Sequence, residues 1–254
     1  MIHPTAIIHP GAQIGADCRI GPYCIVGENV VLGNGCHLHS HVVLDGHTRL
    51  GTANEIFPFA SIGQKSQDLK WKGGVTRTEI GDHNTFREFV TVNAATGDGQ
   101  ETRIGSHNHF LAYSHVAHDC ILGSHIIMSN CTMLAGHVQV DDHAVMSVSA
   151  VHQFCRVGRL SMIGGCSKVT QDVAPYMIVD GNPSETRTIN KVGLERHGVS
   201  EEAQVALKQS YKILFRSGLS IPNAIQRIEQ EVALLPEIKH LLDFVRSSER
   251  GITK

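Results

Sequence analysis

Residues 1–63 read MIHPTAIIHPGAQIGADCRIGPYCIVGENVVLGNGCHLHSHVVLDGHTRLGTANEIFPFASIG, and every sixth residue from position 2 is aliphatic. The series is Ile2, Ile8, Ile14, Ile20, Val26, Leu32, Leu38, Leu44, Leu50, Ile56 and Ile62. It resumes at Ile80, Phe86 and Val92, then runs from Ile104 through Phe110, Val116, Leu122, Met128, Leu134 and Val140 to Met146. After a five-residue step it continues as Val151, Val157, Ile163 and Val169. A period of six fits neither the 3.6 of a helix nor an unbroken strand of period two. It fits short strands joined by tight turns, each strand placing one aliphatic inward.

The residue after the aliphatic is often glycine, as at Gly15, Gly21, Gly33 and Gly105, which suggests positive φ there. Four places after the aliphatic the side chain is usually small: Ala6, Ala12, Cys18, Cys24, Cys36. This register resembles the hexapeptide repeat of left-handed parallel β-helices, in which three hexads close one triangular coil. The left hand comes from the resemblance, because general crossover rules favour the right. The 26 register positions make roughly nine coils, about 40 Å of solenoid at ~4.8 Å per strand. Cys18, Cys24, Cys36, Cys120 and Cys155 fall in the small inward slot, and Cys131 and Cys166 one place off it. All seven read as structural thiols.

Composition agrees with a narrow, repetitive core: 25 Gly and only 5% aromatics in 254 residues. A net charge of −2 argues against a nucleic-acid binder. No apolar run approaches the ~20 residues of a membrane span, and Met1-Ile2-His3-Pro4 opens no secretory signal, so a cytoplasmic location is expected.

Two stretches break the repeat, the Lys-rich residues 64–78 and the Gly/Asp/Thr-rich residues 94–103. Loops ejected from a solenoid commonly sit on its functional face. After Pro183 the pattern becomes helical, so 1–183 reads as the β-helix domain and 184–254 as a C-terminal helical domain. Ser200 caps a helix that stops at Gly218, Ser220 opens a second, and Pro236 a third.

The densest polar cluster is Ser114-His115-Val116-Ala117-His118-Asp119-Cys120. His137 follows His118 by one eighteen-residue coil plus one, so both stand on one edge, a rung apart. His152-Gln153 begins a later coil near that edge. Three readings compete. Histidine is a frequent corner residue here, as His3, His9, His37, His39 and His41 suggest. Imidazoles also ligate metals, and trimeric left-handed β-helices of the γ-carbonic-anhydrase type hold zinc this way. Finally, a neutral imidazole, with its ordinary pKa of ~6.5, is a general base at pH 7–8.

More specific are the segments QDLK (67–70), HVAHDC (115–120), LAGHV (134–138), AVHQFC (150–155) and GGCS (164–167), with the helical tail. Taken in that order, they resemble the acyl-[acyl-carrier-protein]–UDP-N-acetylglucosamine O-acyltransferases, the family that opens lipid A biosynthesis. The resemblance implies a homotrimer with sites between subunits and no cofactor or metal. Its partners would be a 3-hydroxyacyl carrier-protein thioester and the 3-hydroxyl of UDP-N-acetylglucosamine.

On matching positions His118 is the general base, Asp119 its orienting neighbour, and Gly136 the backbone N–H facing the thioester carbonyl. Gln67, Asp68, Lys70, His115, His137, His152, Gln153, Asn190 and Arg196 match substrate contacts, and Met162 and Gly165 the acyl pocket. Arg187, Lys191, Lys208, Lys212 and Arg216 offer a basic surface to an acidic carrier protein.

Three departures stand out: His197 where a second arginine is common, Asn93-Ala94-Ala95-Thr96 for His-Arg-Gly-Thr, and the short 146–151 step. The alternatives are a sugar-nucleotide N-acyltransferase, a γ-carbonic-anhydrase-like zinc hydratase and a non-catalytic scaffold.

Overall fold

A computed structural model describes residues 1–254. Most hexads supply a two-residue strand whose first side chain points outward and whose register aliphatic points inward. Strands stack in parallel on the next coil, Ile7 beside Ile25 and Ile25 beside Val43. Three sheets of 9, 8 and 10 strands form the sides of a triangular prism, a left-handed parallel β-helix with C-terminal helices. The nine-stranded face runs from Ile7–Ile8 to Ser167–Val169 and the eight-stranded face from Gln13–Ile14 to Arg156–Val157. The ten-stranded face starts at Arg19–Ile20 and closes with Met177–Asp180 and the antiparallel Glu185–Ile189.

The register aliphatics fill the prism as one cluster of 37 buried residues. Each fully buried aliphatic contributes about 1.5–3 kcal/mol relative to exposure, so the repeat itself supplies the stability. Phe86 and Phe110 stack inside it with centroids 4.8 Å apart. Cys131 and Cys166 are exposed, and the other five cysteines are buried. Burial pushes the Cys120 thiol up to about 12 and that of Cys155 to about 11, which removes both as nucleophiles.

The glycine expectation needs correcting. Of the glycines that follow a register aliphatic, only Gly63 has positive φ, at 84°. The left-handed position lies two residues later and is filled by Asp17, Tyr23, His41, His107, Asp119 and His137, among others. Glycine is needed instead for close approach between coils. A Cβ on Gly33 would stand 2.5 Å from the Gly51 backbone, and one on Gly105 2.5 Å from Gly123 O. The short step after Met146 is absorbed in one coil, where Leu134 pairs with Val151 and Met146 with Ile163. His37 and His39 also differ from expectation: they project from a strand and its end on the ten-stranded face, whereas His41 is a true corner.

The tail opens with a short helix that the sequence did not announce, α1 (Lys191–Arg196). α2 (Glu201–Arg216) begins at Ser200, whose hydroxyl accepts from Ala203 N, and Gly218 follows it at φ 72°. α3 (Ile221–Glu231) begins at Ser220 and stops four residues earlier than the apolar pattern, and α4 (Pro236–Arg246) begins at its proline. These helices share a second core of 20 buried residues with the last coils. No helix is long and apolar enough to cross a membrane.

Candidate active site

The strand His115–Val116 lies on the nine-stranded face, between Thr91–Asn93 and Met133–Leu134. Val116 points into the prism and His115 outward, where its Nδ1 meets Thr91 Oγ1 at 2.7 Å. The chain then turns the corner, with Asp119 at φ 62° and its N–H donating to Thr102 Oγ1. This turn sets His118 and Asp119 side by side, Nδ1 to Oδ2 at 2.7 Å. His137, one coil up, brings Nε2 to 3.5 Å from the same oxygen and stacks on Phe154 at 4.6 Å.

Both ejected loops converge on this pair. Thr96 N donates to both Asp119 oxygens, at 3.1 and 3.2 Å, and Thr96 Oγ1 lies 3.0 Å from His118 Nδ1. Thr96 Oγ1 also meets Ser66 Oγ at 2.7 Å, and Ser66 Oγ accepts from Asp68 N. Thr96 and Ser66 were not singled out from the sequence, because loop residues carry no register. The retained threonine of the altered 93–96 stretch was the available signal.

Burial alone would raise the Asp119 carboxyl, but hydrogen bonds from His118 and Thr96 outweigh it and hold the group below the usual carboxylate range. The ionised carboxylate accepts the Nδ1 proton of His118, which leaves the lone pair on Nε2. No protein group bonds that nitrogen. His118 and Asp119 are 13% and 6% exposed in their side chains, so the pair is largely shielded yet open to a ligand. Burial, and then the neighbouring His118, lower the pKa of His115, favouring a neutral ring.

Beneath the His118 ring lies Gly136. A Cβ there would fall 2.3 Å from His118 Cε1 and 2.6 Å from Nε2. The Gly136 N–H has no backbone acceptor, although its carbonyl takes Phe154 N.

His118, His115, His152 and Gln67 line a cavity of about 420 Å³, along with Lys168, which the sequence reading passed over. A larger one, about 780 Å³, opens around the corner between the eight-stranded face and residues 247–250, and includes Asp119 and His137. The smaller cavity is the better candidate, because it contains the imidazole with the free nitrogen. Asp68 and Lys70 lie in the 64–78 loop, where Asp68 Oδ1 accepts from Lys70 N, and Gln153 is exposed beside His152.

Asn190, Arg196, Met162 and Gly165 are not brought to this cluster within one chain. Met162 is on the ten-stranded face, and Gly165 has open space where a Cβ would go. Asn190 caps α1, accepting from Gly193 N while its amide donates to Leu160 O. Arg196 ends that helix, and His197 packs on His143 at the top of a corner stack formed by His83, His107, His125 and His143.

Two of the five basic residues are paired with carboxylates. Arg187 pairs with Glu185, Lys191 with Glu195, Lys208 donates to Thr188, and Arg216 is drawn to Tyr211 and Thr186. Lys212 alone of the five makes no such bond.

His118, Asp119 and His137 could also span a metal ion, with ligand atoms within 4.8 Å of one another. The same Asp119 oxygens take the Thr96 N–H.

Residues 172–253 match a family described as UDP-N-acetylglucosamine O-acyltransferase, domain 2, and residues 2–97 match the GMPPB C-terminal domain. A relative from Gloeothece citriformis, named acyl-[acyl-carrier-protein]–UDP-N-acetylglucosamine O-acyltransferase, is 42% identical over 208 residues, 82% of this chain and 75% of its own. LpxA from Acinetobacter baumannii superposes with a TM-score of 0.96 at 46% identity, covering 100% of this chain and 99% of that one. The UDP-N-acetylglucosamine acyltransferase of Bacteroides fragilis gives 0.97 at 41%, covering 100% of both chains.

Proposed function

Because the chain belongs to the acyl-[acyl-carrier-protein]–UDP-N-acetylglucosamine O-acyltransferase family, and so is an acyltransferase, we propose that His118 is its general base in direct attack on a carrier-protein thioester. The acyl donor is acyl carrier protein and the acceptor UDP-N-acetylglucosamine, in lipid A synthesis. The acyl group is a 3-hydroxyacyl chain and the acceptor atom the sugar 3-hydroxyl. Family membership favours acyl transfer over the zinc-hydratase and scaffold readings.

The observation that carries the mechanism is the polarity of the His118 ring: Nδ1 held by an ionised Asp119, Nε2 without a protein partner beside the cavity. Nε2 takes the hydroxyl proton as the oxygen attacks the thioester carbon, since the hydroxyl is too weak an acid to ionise first. The carbonyl oxygen becomes an oxyanion, and the unpartnered Gly136 N–H is the donor in reach of that region. Collapse breaks the C–S bond, and the imidazolium returns its proton to the departing thiolate. Thr96 orients the pair from the loop side. Thr96→Val keeps shape but removes Oγ1, and a lost bond of about 1 kcal/mol lowers kcat roughly fivefold. Steady-state kinetics on that variant checks it.

A homotrimer accounts for the divided site. Asn190, Arg196, Met162 and Gly165 lie on or beyond the ten-stranded face, so a neighbouring copy supplies them to the His118 corner, and a closed ring repeats the contact. His115, His137, His152, Gln153, Gln67, Asp68 and Lys70 then surround the sugar nucleotide from one side. Lys212 and the partly paired residues around it face the acidic carrier protein. Attraction of that kind is screened beyond ~8 Å at physiological salt, so the KM for acyl carrier protein rises with ionic strength. A flat dependence contradicts it.

At Gly165 the open space leaves room for a long acyl chain. Gly165→Met fills it and shifts preference toward shorter chains, read from relative kcat/KM across acyl lengths. Unchanged preference removes Gly165 from the acyl pocket. The function itself is tested by thiol release from carrier proteins of varied acyl length, with UDP-N-acetylglucosamine as acceptor and the product's acylated oxygen identified by NMR.

A further inference from the structure

On the ten-stranded face near the N-terminal end, two imidazoles and a carboxylate meet outside anything the acyl-transfer reading uses. His37 opens the strand His37–Leu38 and His39 follows it, so both rings project outward on either side of the buried Leu38. The next strand places Glu55 beside His37. The two rings have centroids 4.1 Å apart. Glu55 Oε1 lies 2.9 Å from His39 Nε2 and 3.7 Å from His37 Nδ1. One donor atom from each residue falls within 4.8 Å of the other two.

We propose that His37, His39 and Glu55 form a binding site for a divalent transition-metal ion of the zinc class, distinct from the acyl-transfer site.

Tetrahedral zinc with nitrogen and oxygen ligands at ~2.0–2.2 Å needs donors ~3.3–3.5 Å apart, and the two measured separations bracket that range. Small side-chain rotations therefore admit the ion. Imidazole with one carboxylate suits zinc, copper or nickel better than the hard, oxygen-seeking magnesium or calcium. His37 comes from one strand, His39 from the residue just after it and Glu55 from the hydrogen-bonded neighbour, so the sheet fixes their spacing.

The His39 ring is held in place from behind. It stacks on Phe57 at 4.4 Å, and the Arg87 guanidinium covers the far side of that contact at 4.4 Å from the Phe57 ring. Arg87 is in turn tied to Glu88 by two bonds of 3.0 Å. Such outer support is what orients the ligands of metal sites. Within a single chain the side chains are 37%, 31% and 44% exposed, which leaves a fourth position for water.

The test is zinc titration of the chelator-stripped full-length protein by calorimetry, with cobalt absorption as a second probe of ligand geometry. Wild type takes up a saturable equivalent per chain at this site. His39→Asn loses that equivalent, and Glu55→Gln weakens it by at least ~10-fold, the least that loss of a supporting group costs a metal site. His137→Ala retains it, which separates this site from the His118 corner. Circular dichroism and zinc-free thiol release are unchanged in His39→Asn and Glu55→Gln. The proposal is overturned if calorimetry of wild type shows no saturable zinc uptake. Equal uptake by wild type and His39→Asn, or loss of the equivalent in His137→Ala instead, also overturns it.

Discussion

His118→Ala is expected to lower kcat by ~10²–10⁴-fold, the range a positioned general base contributes, with fold and assembly intact. The ring is bonded only through Nδ1, to Asp119 and Thr96, and its removal leaves the prism core untouched. The loss therefore belongs to chemistry rather than stability. His115→Ala and His137→Ala cost less, because one ring is held by Thr91 on the cavity wall and the other only approaches Asp119 at 3.5 Å. Stopped assays with saturating UDP-N-acetylglucosamine measure the difference. A His118→Ala variant with near-normal kcat would remove the base from the account.

Gly136→Ala should be nearly as damaging, although it adds one methyl group. The new Cβ would overlap His118 Cε1 at 2.3 Å and Nε2 at 2.6 Å. Gly136 is not in the left-handed region, so alanine meets no backbone strain, and the overlap falls on the imidazole alone. The ring must move by about 1 Å, and a misplacement of that size costs ~10²-fold in rate. The expected pattern is a kcat at least ~10²-fold lower with a melting temperature close to wild type. A large drop in melting temperature would mean that the glycine serves packing instead.

The prism was legible because its signal is local and repeated. Each aliphatic from Ile2 to Val169 needs only its own hexad to be assigned inward. The adjacency of His118 and His137 followed from coil length alone, and the structure brings both to Asp119. Where the register stops, so does legibility. Thr96 and Ser66 reach His118 through ejected loops whose paths no period describes. Glycine after the aliphatic suggested positive φ, but steric approach between coils selects it, and that distance is invisible in one hexad. Asn190 matched a ligand contact by motif, yet in one chain its side chain is spent on capping α1 and on Leu160. His37, which opens a strand, and His39, which follows it, looked like corner residues, since outward strand positions and corners both tolerate polar side chains.

The central claim is direct, metal-free transfer with His118 as the base, and one measurement bears on it most directly. Thiol release from 3-hydroxyacyl carrier protein is followed with chelator-treated protein, in the presence and absence of UDP-N-acetylglucosamine. The account predicts release only when the sugar nucleotide is present, one acylated sugar per thiol, at the rate of untreated protein. Release that stops on chelation and returns with zinc, or that proceeds without the acceptor, would contradict it.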